Sequence, residues 1–230
     1  MSRLKLEDLR PKVREIFSTD WNRRNGRIVP DTSGLTLTNS GVDIEACVLY
    51  CDLDESTNVV DSVPDSVAAE IYKTYLHCAA KIIRDHDGEI VSYDGDRIMS
   101  IFVGNEKCMQ AVWCAMKLTY AVRELIRSEI VRKYNGYQDK ISHTCGIDTG
   151  SLLVAKTGIR SYNDLVWVGS AANYAAKMTS GGKDEVRITS EVMSQLPDWL
   201  IYSDLDIYMW RGQFLGLGRI VFSTDYGFVF

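Results

Sequence analysis

Cys47-Val48-Leu49-Tyr50-Cys51-Asp52-Leu53-Asp54-Glu55-Ser56-Thr57 is an apolar run that closes in three acids and two hydroxyls. From residue 44 to 51 apolar and β-branched side chains follow one another without clean alternation, which predicts a strand covered on both faces. Asp52 falls at the end of that strand, where a carboxylate is costly unless something positive meets it. Further along, the apolar runs at 90–93 and 97–102 flank Asp94-Gly95-Asp96, and the pattern predicts a hairpin whose turn is made by the Asp-Gly pair. If the two strands are neighbours, Asp52 and Asp96 converge on one point. Converging carboxylates repel, and a bound divalent cation is the natural resolution.

The 230 residues are 46% apolar with only four prolines, which supports a packed core and excludes a wholly disordered chain. A net charge of −5 argues against a dedicated nucleic-acid backbone binder, whose affinity rests on clustered Lys and Arg. A small anionic ligand is compatible with that charge, because a local cation and a metal reverse the field inside a pocket. There is no apolar run of membrane-spanning length, and the opening Met1-Ser2-Arg3-Leu4-Lys5-Leu6-Glu7 lacks the apolar core of a signal peptide. Six cysteines with irregular spacing, and no Cys-x-x-Cys knuckle, read as buried thiols of a reducing compartment. The expectation is a cytoplasmic protein.

Residues 4–17 suit a short amphipathic helix, and residues 21–40, rich in Asn, Arg, Gly, Thr and Ser, a connecting arm. The first thirty residues hold eight Lys or Arg against four Asp or Glu, a mild basic excess that fits a solvated surface or a self-association arm. Apolar spacing predicts long helices over 67–86 and 106–133. Strands are expected at 141–149 and 152–156, joined at Gly150-Ser151, then a loop over 158–163 and a strand at 165–168. A helix over 171–179, a strand at 186–189 and a helix over 191–196 complete the pattern. This order predicts an α+β fold, a ferredoxin-like βαββαβ core with a C-terminal strand-helix extension. Helices on one side of a mixed sheet leave its other face open to solvent or to a second copy of the chain.

Four segments now stand in one order: Tyr50-Cys51-Asp52-Leu53-Asp54-Glu55-Ser56-Thr57, Asp94-Gly95-Asp96-Arg97-Ile98-Met99, Cys145-Gly146-Ile147-Asp148-Thr149-Gly150, and Val168-Gly169-Ser170-Ala171-Ala172-Asn173-Tyr174-Ala175-Ala176-Lys177-Met178. The set resembles the catalytic domain of class III nucleotidyl cyclases, over about residues 43–190. The resemblance implies residues 1–40 as an arm before a cyclase-like domain at 41–230. It implies Asp52 and Asp96 as metal carboxylates for two Mg²⁺ or Mn²⁺ ions, with the Leu53 carbonyl helping to hold one. Asn173 would orient the ribose, and Lys177 stands where the family usually has an arginine for the triphosphate. Lysine supplies a point charge there in place of a bidentate fork. Backbone amides of Leu53, Asp54, Glu55, Ser56 and Thr57, at a strand-to-helix passage, offer a nest for phosphates.

In that family, adenine readers usually carry a lysine, and guanine readers a glutamate, where this chain has Ser92. The partner position that usually holds an aspartate or threonine is Val166. Neither purine code is present. Tyr50 lies two residues before Asp52 on the same strand face and suits the wall of a base pocket, while Arg97 can support Tyr50 or donate to a carbonyl-rich base such as uracil. Arg97 paired with a nearby acid, and Tyr50 as core, are the plainer alternatives. The chain is similar to the pyrimidine cyclases of bacterial anti-phage signalling. That likeness implies a UTP cyclase making cyclic UMP, read by a separate effector, in a bacterial cytoplasm. Cytidylate cyclase, then a purine cyclase or an inactive nucleotide sensor, are the alternatives. It also implies a homodimer in which the metal acids come from one subunit and the Asn and basic residue from the other.

Overall fold

The computed structural model describes residues 3–137, 140–216 and 218–230. In chain order the elements are α1 (Leu6–Ser18), β1 (Asn22–Asn25), β2 (Ser40–Leu53), α2 (Ser56–Ser62), α3 (Asp65–Asp85), β3 (Glu89–Asp94), β4 (Arg97–Phe102) and α4 (Lys107–Tyr120). They continue with α5 (Arg127–Tyr134), β5 (His143–Ile159), β6 (Tyr162–Val168), α6 (Ser170–Met178), β7 (Glu185–Thr189), α7 (Ser190–Met193), β8 (Arg211–Phe214) and β9 (Ile220–Thr224). The chain divides into two compact units, Met1–Ile44 with Leu152–Val168, and Glu45–Ser151 with Gly169–Phe230.

The larger unit holds the expected core. Strands β2, β3, β4 and β5 with α3 and α4 follow the order βαββαβ, and the sheet runs β3-β4-β2-β5-β7-β9-β8. β4 pairs antiparallel with β2 from Cys47↔Phe102 to Cys51↔Ile98, and β7 lies parallel to β5. Along β2 the side chains of Cys47, Leu49, Cys51 and Leu53 enter one apolar cluster with Ile71, Tyr75, Val112 and Leu118 of α3 and α4. Strand side chains alternate, so Val48, Tyr50 and Asp52 take the opposite face. Helices α3 and α4 thus bury one face of β2; on the other, Ala46 and Val48 are buried as well, and only Tyr50 and Asp52 at the strand end are partly exposed.

The α3 stripe is as the spacing predicts, with Val67, Ile71, Tyr75, Ala79 and Ile82 buried. The second long helix runs from Lys107 to Tyr134, with a π-helical turn over Ala121–Ile126 inside it. Gly146 of β5 is required by packing, since a Cβ there would lie 2.1 Å from the carbonyl oxygen of Ala175 and only glycine lets α6 approach this closely.

Two local expectations differ. The runs at 141–149 and 152–156 are one strand, β5, because Gly150-Ser151 keeps negative φ and the ladder continues through it. The chain turns later, at Arg160-Ser161, where Ser161 has φ 70° and Ile159 pairs with Tyr162. The connecting arm also contains β1, parallel to the start of β2 from Asn22↔Ser40 to Asn25↔Asp43 and held by an Arg23–Asp43 ion pair. All four β1 side chains are exposed, so no apolar alternation marked it in the sequence.

Candidate active site

Antiparallel register carries the Cys51↔Ile98 pair on to Asp52 opposite Arg97, with the tight turn Gly95-Asp96 just beyond. Gly95 takes φ +62°, the conformation that lets a two-residue hairpin close. Arg97 donates from Nε and Nη2 to Asp52 Oδ2 at 3.1 and 2.5 Å, and the Thr179 hydroxyl donates to the same oxygen at 3.3 Å. The strand-end carboxylate thus meets the positive group that its position required.

Asp96 is in a different state. Burial raises its carboxyl above the usual carboxylate range and the nearby Asp52 charge raises it further, while the Ser56 hydroxyl pulls it down. Its Oδ2 is the one buried side-chain oxygen or nitrogen among the described residues without a hydrogen-bond partner. An orphaned carboxylate oxygen beside a second carboxylate fits a divalent cation. Among the described residues no group of three or more His, Cys, Asp or Glu is assembled. Two carboxylates completed by a backbone carbonyl, water and phosphate oxygens are the donor set that suits Mg²⁺. Leu53, whose carbonyl is the third candidate, is the buried last residue of β2.

Within the loop after β2 the residues divide. Ser56 begins α2 beside Asp96, Thr57 is exposed, and Glu55 sits in the left-handed region at φ 51° and accepts from the Asn58 side chain. Asp54 is turned away from this role. Its amide donates to Ser142 O at 2.9 Å, and its carboxylate accepts from Thr144 Oγ1 at 2.7 Å. A phosphate nest built here therefore lacks the Asp54 amide.

Asp54 and the buried His143 titrate in opposite senses. Burial lowers the His143 imidazole to about 4, so between pH 6.5 and 4 the unfolded chain takes up a proton that the native chain refuses, and stability falls with pH. Over that range the loss is about 3 kcal/mol. Burial raises Asp54 to about 6, so the native chain keeps a proton that the unfolded chain releases, and stability rises as pH falls through 6. The two effects offset each other. Asp54→Asn should expose the His143 slope, with the urea midpoint dropping more steeply from pH 6.5 to 4.5 than in the parent protein; equal slopes would refute this.

The Tyr50 ring is half-buried, and the Arg97 guanidinium lies 6.0 Å from its centroid. Arg97 thus both supports Tyr50 and pairs with an acid, and that acid is the candidate metal ligand. Ser92 is half-buried on β3, paired with Met99. Val166 belongs to the smaller unit, exposed on β6 opposite Ala155. On α6, Ala171, Ala175 and Met178 are buried, while Asn173 and Lys177, one turn apart, share the exposed face. The Lys177 ammonium lies 5.9 Å from the Tyr174 ring. No side-chain hydrogen bond or ion pair joins Asn173 or Lys177 to Asp52 or Asp96 among the described residues. Thr179, just past α6, does reach Asp52; nothing in the sequence pattern pointed to it.

A ferredoxin-like sheet with a carboxylate at the end of its first core strand and another in the adjoining hairpin turn fits the catalytic domain of a nucleotidyl cyclase. Residues 42–213 match the adenylate and guanylate cyclase catalytic domain, and the chain belongs to that family. It is 46% identical over 193 residues to a uridylate cyclase of Xanthomonas perforans, covering 84% of each chain. It is 43% identical over 206 residues to a uridylate cyclase of Burkholderia cepacia, covering 89% of each. Among solved structures, the guanylyl cyclase Cya2 superposes with a TM-score of 0.68 at 17% identity, over 82% of this chain and 95% of that one. The adenylyl cyclase CyaB from P. aeruginosa does so with a TM-score of 0.65 at 19% identity, over 79% and 94%. These two likenesses concern the fold.

Proposed function

We propose that this protein is a uridylate cyclase that converts UTP to 3′,5′-cyclic UMP and diphosphate. The observation that carries the reading is its identity of 46% and 43%, over most of both chains, to proteins named uridylate cyclase. The site agrees with it in lacking both purine codes, with Ser92 and Val166 at those positions.

In this reading Asp52 and Asp96, with the Leu53 carbonyl, hold two Mg²⁺ or Mn²⁺ ions. Bound there, the ions supply charge neutralisation at the phosphate oxygens and a more acidic ribose 3′-hydroxyl. Arg97 fixes the Asp52 carboxylate and lies over Tyr50, whose ring forms one wall of the base pocket. Amides and hydroxyls of Glu55, Ser56 and Thr57 cradle the triphosphate. Asn173 orients the ribose and Lys177 draws off charge from the leaving diphosphate. These two are exposed and make no bond to the carboxylates of their own chain, which supports a homodimer with two shared sites. The bacterial origin of the relatives and a nucleotide substrate support a bacterial cytoplasm as its location, where cyclic UMP serves as an antiviral signal read by a separate effector protein.

The test is incubation of the purified protein with equal ATP, GTP, CTP and UTP and Mn²⁺, read by mass spectrometry. Cyclic UMP should exceed every other cyclic nucleotide by about tenfold or more, as expected when a pocket leaves the wrong base with unpaired polar groups. Cyclic AMP or cyclic GMP as the main product would overturn the pocket; cyclic CMP would retain it and change the substrate.

A further inference from the structure

Helix α1 has no buried residue. Leu6, Leu9, Val13 and Ile16 recur at spacings of three and four and form, with Phe17, one apolar stripe. Leu6 is 73% exposed and Phe17 88%. The helix is nevertheless held at its end, where Asn39 Nδ2 donates to the carbonyls of Ile16 and Thr19 at 2.7 Å each. A stripe presented on an anchored helix is pre-ordered for a partner.

The charges beside the stripe say what kind of partner. Lys5 and Lys12 flank it on one side, Arg10 and Arg14 on the other, whereas Asp8 and Glu15 lie on the far face. Arg10 pairs with Glu7 and Lys12 with Glu15, both as exposed neighbours on the helix, a kind of pair that contributes little. A seam between two α1 helices would set these flanking cations against each other in either direction, so the stripe is a poor match for its own twin.

Residues 198–208 supply the complementary pattern. Trp199, Tyr202, Leu205, Ile207 and Tyr208 are exposed there, Leu205 to 81%. Asp198, Asp204 and Asp206 alternate with them, the stretch contains no Lys or Arg, and none of the three acids has an ion pair among the described residues. An anionic lipid surface would also suit a basic amphipathic helix. The balance of charge decides against it: residues 1–30 hold eight Lys or Arg against four Asp or Glu, yet the chain stands at −5, so the remainder is acidic and is repelled by such a surface while it attracts the helix.

We infer that α1 of one copy docks, apolar stripe inward, on the acidic and apolar surface at residues 198–208 of a second copy. The arm tethers the subunits. This goes beyond the proposed activity, which requires two copies but assigns α1 no part.

The full-length protein carrying Phe17→p-benzoylphenylalanine, mixed in equal amounts as ¹⁴N and ¹⁵N chains and irradiated, tests it by mass spectrometry. Mixed-isotope links should join residue 17 to the peptide spanning 198–208. In analytical ultracentrifugation, Arg10→Glu with Arg14→Glu should raise the dimer Kd by about tenfold or more, because like charges then face each other. Adding Asp198→Lys, Asp204→Lys and Asp206→Lys should bring the Kd back. Links only within one isotope, links elsewhere, an unchanged Kd, or binding to phosphatidylglycerol vesicles without mixed links would each overturn the arm. Cyclic UMP formation by a dimer lacking those links would overturn the arm alone and leave the proposed activity standing.

Discussion

Asp96→Asn should abolish cyclase turnover, by about a thousandfold or more, while the protein remains folded and no less resistant to urea. On the proposed reading the loss follows from removing one of the two carboxylates that would hold the cations neutralising the reacting phosphate, an effect of several kcal/mol at about 1.4 kcal/mol per tenfold. The retained stability follows from the state of Asp96 in the folded chain. Burial and the neighbouring Asp52 both disfavour its charged form, and its Oδ2 has no partner. A neutral isostere relieves that cost, as expected where a site holds charge at the expense of the fold. Asp52→Asn serves as the contrast, because it also strips the counter-charge from Arg97, which is only one-third exposed, and so should lower the urea midpoint as well as turnover. Paired circular dichroism, urea titration and product assays on the two variants measure this. Full activity in Asp96→Asn would remove the metal reading altogether, and a large loss of stability would make Asp96 a structural residue.

Two inactive variants should recover activity when mixed. Asn173→Ala and Asp96→Asn chains should each fall below about one hundredth of parental turnover alone. Mixed in equal amounts and allowed to exchange, they should return to about a quarter of it, since half the dimers are hybrids with one intact site of two. The expectation rests on α6, where Asn173 and Lys177 share the exposed face and have no bond to the carboxylates of their own chain. Native mass spectrometry can count the hybrids. Abundant hybrids with no turnover would mean that each chain builds its site alone.

What could be read in the sequence was local. The unalternating run to Cys51, the Asp-Gly turn and the helical stripes each specify their element within a few residues, because strand and helix periods and turn dihedrals are short-range properties. From those elements came the βαββαβ order, and the family likeness of four short segments supplied the rest of the fold. The convergence of Asp52 and Asp96 was legible because a strand end and a hairpin turn leave few ways to pair. The unbroken β5 was not, since Gly150-Ser151 reads as a turn in composition but takes strand dihedrals once its ladder has a neighbour. Asp54 likewise reads as one more loop acid until Thr144, ninety positions away, claims its carboxylate.

The sequence by itself determined the long helices α3 and α4 and the β2 and β3-β4 strands, the faces the helices bury and where carboxylates fall at the strand ends, but not β1 or the unbroken β5. Only the tertiary structure decided that Arg97, forty-five residues from Asp52, would hold that carboxylate, that Thr179, one hundred and twenty-seven residues away, would join it, and that Oδ2 of Asp96 would be left without a partner. Hydrogen bonds across such separations depend on strand register and helix placement, quantities that no window of neighbouring residues contains.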